Sequence, residues 1–80
     1  MGAVEAYRKE TQRVIKAFLR DQLSFPSCIA ALDAALAALI PRLDPARYQA
    51  ELPVLRALML SNNETVMKEM ERRTARLEKV

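Results

Sequence analysis

Ser24–Pro41 reads SFPSCIAALDAALAALIP, and between Ser27 and Arg42 it carries one charge, Asp33. Projected at about 100° per residue, Phe25, Ile29, Leu32, Leu36, Leu39, Ile40 and Leu43 share one face. The other sides are mostly alanine: Ala30, Ala31, Ala34, Ala35, Ala37 and Ala38. A helix that is apolar nearly all round must be buried nearly all round. A chain of 80 residues has little else to bury it with. Either the other helices wrap this segment, or a second chain does. The expectation is a helical bundle completed by self-association.

Composition supports the helical part of that reading. A chain this short forms one domain at most and buries only about 60% of its unfolded surface. Hydrophobic residues make up 51% and charged residues 29%, a globular balance. Alanine and leucine, both strong helix formers, dominate. The one glycine is Gly2, so the glycine-bearing turns of tight hairpins are missing. The fold class expected is all-α: three main helices plus a short connecting helix, in a single domain spanning 1–80.

The same absences prune chemistry. Without an interior glycine there is no phosphate-binding loop, dinucleotide fingerprint or EF-hand. Without histidine there is no His-based triad or zincin site. One cysteine, Cys28, excludes an internal disulfide and a four-cysteine metal site. No enzyme activity, cofactor or metal is expected. A lone thiol fits a reducing, cytoplasmic compartment. The N-terminal stretch lacks a continuous apolar core, so no secretory signal is expected. The run Cys28–Pro41 is 14 residues, short of the ~20 that span a bilayer, so no transmembrane segment is expected. The net charge of +3 is mildly basic and demands neither nucleic acid nor anionic lipid.

Along the chain, a first helix is expected over 4–22. Its apolar face is Val4, Tyr7, Thr11, Val14, Ile15 and Phe18. Lys9, Arg13, Lys16 and Arg20 form one stripe on the opposite side. Ser24 is a suitable N-cap, with Pro26 in the first turn of a helix over 25–40. Pro41 should end it. Asp44-Pro45 restarts a short helix over 46–51, Pro53 interrupts, and a long helix follows over 54–78. Its apolar face is Leu55, Met59, Val66, Met70 and Leu77, with Asn62 and Asn63 straddling it. Ser61 and Glu64 match a capping box, but the apolar stripe keeps one phase throughout, which favours a continuous helix.

The candidate interface gathers Phe25, Ile29, Leu32, Leu36, Leu39, Leu55, Met59, Asn62, Asn63, Val66 and Met70. Both asparagines are expected in one interhelical seam, where a buried amide fixes register at a cost in stability. Asp33 either meets an arginine from the first helix or marks the strip of its own helix that reaches water. Cys28, in the first turn of its helix, is either an activated thiol or a small buried apolar residue. Met59, Met67 and Met70 read as core or as an adaptable patch. Arg72, Arg73, Arg76 and Lys79, interleaved with Glu69, Glu71 and Glu78, read as a solvated end laced with salt bridges. The stripe Lys9, Arg13, Lys16 and Arg20 is a possible anion-binding surface, more simply a solvated outer face.

The function expected is that of a small, non-enzymatic interaction or regulatory module acting as a homo-oligomer, with itself or another protein as partner. The alternatives are a nucleic-acid-associated regulator using the helix-one stripe or the C-terminal arginines, with nucleic acid the less expected partner, and a helical pocket for a small apolar ligand.

Overall fold

Ser24 starts its helix as its chemistry dictates: its hydroxyl oxygen accepts the Ser27 N–H at 3.2 Å, and Pro26 occupies the first turn, where its missing N–H is no loss. In the computed structural model, which describes residues 2–79, α1 spans Ala3–Leu19, α2 Phe25–Leu39 and α3 Tyr48–Glu78. Two 3₁₀ turns, Ile40–Arg42 and Pro45–Arg47, join α2 to α3. No strand occurs among the described residues, as the composition implies.

α1 stops at Leu19, three residues before the expected end. Asp21 takes a left-handed conformation, φ 59°. The Gln22 N–H then donates to the Ala17 carbonyl at 2.9 Å and the Asp21 N–H to the Phe18 carbonyl at 3.1 Å. This pair of bonds is the closure that glycine usually provides at a helix C-terminus. A short polar side chain tolerates the conformation better than most.

The connection to α3 differs more from expectation. Asp44 does cap, its carboxylate accepting the Ala46 N–H at 3.0 Å, but it caps a single 3₁₀ turn. There is no separate 46–51 helix and no break at Pro53. The chain enters one 31-residue helix with Pro53 inside it. Pro53 is the sixth residue of α3, so the bond it cannot make would have gone to the Gln49 carbonyl, at the exposed first turn. Water can satisfy that carbonyl, and Leu55, buried just downstream, holds the helix in place. Through Ser61–Glu64 the helix is continuous: the Thr65 hydroxyl donates back to the Ser61 carbonyl at 3.1 Å, so Ser61 caps nothing.

Two apolar clusters tie the helices together. Val14, Ile15, Phe18, Cys28 and Val66 form one, flanked by Leu23, Phe25, Ile29, Leu32 and Met70. Tyr7, Leu39 and Leu55 form the other, flanked by Val4, Leu36, Leu43, Leu58 and Met59. From the second cluster to the first, α1 and α3 advance together while α2 runs backwards. At 1.5 Å per residue α3 is about 46 Å long and α1 about 26 Å, so α3 outruns its partners. The molecule measures 53 × 19 × 16 Å, with a radius of gyration of 14.4 Å against about 12 Å for a compact 80-residue chain.

Candidate functional site

Only Cys28 and Leu39 of α2 are buried. Ala30, Asp33, Ala34, Ala37, Ala38 and, just beyond, Ile40 face outward. Phe25–Arg42 has a mean hydropathy of 1.4 over 18 residues, of which 11% are buried. By length and composition alone that stretch is apolar enough to cross a membrane. The window is longer than the run Cys28–Pro41 because it also takes in Phe25–Ser27 and Arg42. The helix that demands the most cover therefore receives little from its own chain.

Three clefts follow one another along α3, and α2 borders two of them. The first, of about 340 Å³, is lined by Leu52, Leu55, Arg56, Met59, Leu60 and Asn63. A small central cleft is lined by Leu32, Asp33 and Leu36 of α2, Met59, Asn62 and Asn63 of α3, and Tyr7. The third, of about 240 Å³, lies among Phe25, Ile29, Asn63, Val66 and Met67. Asn63 borders all three. Along this line Leu52 is 42%, Leu60 64% and Met67 56% exposed, an apolar row on one helix face.

The residues expected at an interface divide. Leu39, Leu55 and Val66 are buried in the chain's own core, so they are internal packing. Phe25, Ile29, Leu32, Leu36, Met59 and Met70 are half-buried and pack against the two clusters. Of these, all but Met70 also line the clefts. Both asparagines line the central cleft between the helices, at different depths. Asn62 lies beside Tyr7 with its Nδ2 buried and unpartnered, while Asn63 is exposed. Leu52 and Leu60 were not among the expected interface residues. Their spacing with Met59 and Met67 marks a second apolar stripe, next to the one that fills the core.

Asp33 is exposed at the rim of the central cleft, so it is the strip of α2 that reaches water. Cys28 is fully buried. Burial pushes its thiol above the ordinary range, with nearby Arg73 pulling partly back, the reverse of an activated nucleophile. Burial likewise pushes the Tyr7 phenol up, and the Asn62 amide partly offsets it. Lys9, Arg13, Lys16 and Arg20 are all exposed. Arg13 is engaged by Glu10 at 2.5 Å, which raises its pKa and lowers that of Glu10 and dilutes the stripe as an anion surface.

The C-terminal charges are not simply a solvated end. Glu69 is only 2% exposed. Arg72 reaches it at 3.4 Å, Arg73 at 3.5 Å and Arg76 at 3.9 Å. Arg73 also donates to the Phe18 carbonyl at 2.7 Å, pairs with Asp21 at 3.0 Å and lies 4.1 Å above the centre of the Phe18 ring. This cluster latches α3 to the end of α1. Alternating signs near a chain end gave no warning that one carboxylate would turn inward.

Comparison with family models, with characterised proteins and with solved structures finds no match to this chain, so the reading of the open α2/α3 face rests on its physical chemistry.

Proposed function

We propose that this chain is a non-enzymatic interaction module that works as a homodimer, its bundle completed by a second copy across the open face of α2 and α3. Surface area carries the reading. The chain exposes 5765 Å², about 900 Å² more than the ~4,900 Å² expected of a folded monomer of 9.1 kDa. A stable protein–protein contact buries about 800 Å² on each partner, so one such contact accounts for the surplus. Leu52, Leu60 and Met67, apolar and exposed, supply the kind of surface that a monomer normally hides.

Sedimentation equilibrium at micromolar concentration tests this. The expected species has twice the chain mass of 9.1 kDa. A single species at the chain mass would overturn the reading and leave the clefts for another occupant.

A further inference from the structure

We propose that the second copy docks antiparallel, α3 against α3, about a two-fold axis beside Met59 and Leu60, so that Arg56 of each subunit pairs with Asp33 of the other. The inference rests on the self-association reading above and adds the geometry of the contact.

The order of residues along the open edge of α3 carries it. Leu52, Arg56, Met59, Leu60, Asn63 and Met67 read apolar, polar, apolar, apolar, polar, apolar, with the same spacing in both directions. A two-fold contact uses one patch twice, so the patch must be complementary to itself. Turned end for end about its midpoint, this row lays Leu52 on the partner's Met67. Met59 falls on the partner's Leu60, and Arg56 on the partner's Asn63. The row spans about 22 Å of helix, long enough for a continuous seam. A parallel arrangement in register would instead set Arg56 against the partner's Arg56.

Charge selects the same geometry. Asp33 and Arg56 are the two charged residues lining the three clefts. Neither forms a salt bridge within the chain among the described residues. Asp33 borders the same central cleft as Asn63. An Arg56 that arrives at the partner's Asn63 therefore also arrives beside the partner's Asp33. The pairing occurs twice, once on each side of the axis, and each pair satisfies two otherwise unengaged charges. Complementary charges of this kind fix orientation and register more than they add raw affinity.

The test is a charge exchange read by sedimentation equilibrium at physiological salt. Asp33→Arg alone sets arginine against arginine, and Arg56→Asp alone sets aspartate against aspartate. Each is expected to weaken the dimer by at least about tenfold. A one-to-one mixture of the two variants restores opposite charges at both pairs and should recover a heterodimer of wild-type strength. That recovery cannot come from any contact within one chain. Singles as tight as wild type, or a mixture as weak as the singles, would overturn the antiparallel pairing while leaving the dimer standing. A monomeric wild type would instead remove the underlying reading.

Cysteine pairs give a second measurement should either charge variant fold poorly. In a Cys28→Ala background with oxidised glutathione, Leu60→Cys should form a disulfide with its own copy. Leu52→Cys and Met67→Cys should cross-link only when mixed with each other. Self-cross-linking at all three positions would establish a parallel seam and overturn the proposal.

Discussion

Arg73 shows how much one side chain can decide. It joins a buried carboxylate, Glu69, to the carbonyl and ring of Phe18 and to Asp21 on the chain beyond α1. A lysine in its place keeps the charge but lacks the planar fork that serves several acceptors at once. Arg73→Lys is therefore expected to lower stability by about 1–2 kcal/mol, read as a shift in urea midpoint with an unchanged slope. A second prediction follows from the raised Cys28 thiol and Tyr7 phenol. With raised values, the folded chain still holds protons that the unfolded chain has released, from about pH 8.5 for the thiol and pH 10 for the phenol. Stability is unaffected by these groups below that window and falls as pH rises through it. Urea titrations between neutral and alkaline pH should show the fall, and Cys28→Ala or Tyr7→Phe should reduce it. An equally steep fall in both variants would assign it to other groups.

At the scale of elements, the start of α2 was legible because capping is local: Ser24 accepts the N–H group that its position implies, whereas Asp44 caps only a 3₁₀ turn and α3 begins with no side-chain cap. The ends were less legible. α1 terminates through Asp21 in a left-handed conformation, where sequence rules look for glycine. Pro53 read as a break because a proline in mid-helix removes a hydrogen bond and crowds the preceding turn by about 3 kcal/mol. One turn from an exposed end that penalty is smaller, and the packing of Leu55 exceeds it. Pro53→Ala is accordingly expected to raise stability by about 1–3 kcal/mol, measured by thermal and urea unfolding followed by circular dichroism. No gain would mean that the proline already fits α3 without strain. The core faces were largely readable from period alone: Tyr7, Thr11, Val14, Ile15 and Phe18 are all buried as the pattern implies. The open edge of α3 was not, because Leu52 and Leu60 become conspicuous only once Leu55, Val66 and Glu69 are seen to occupy the inside.

At the scale of the molecule, an excess of surface and a shortage of cover for α2 describe the same deficit. In the proposed dimer the second copy covers the outer row of α3 and leaves the inner row untouched. That separation is testable with two substitutions six residues apart. Val66 is 2% exposed, inside the subunit, and Val66→Asp places an unpaired charge in the core at several kcal/mol. Helical signal should be lost at every concentration. Leu60 is 64% exposed, so Leu60→Asp costs a lone subunit almost nothing, yet beside the two-fold axis it sets two carboxylates against each other. Its helical content should match wild type while its mass falls to that of one chain. The wild-type melting midpoint should rise with protein concentration because folding and association are linked by mass action, and the Leu60→Asp midpoint should not. If Leu60→Asp instead melts like wild type with the same concentration dependence, the outer row of α3 lies outside the contact, and the exposed alanine side of α2 becomes the face that the second copy must cover.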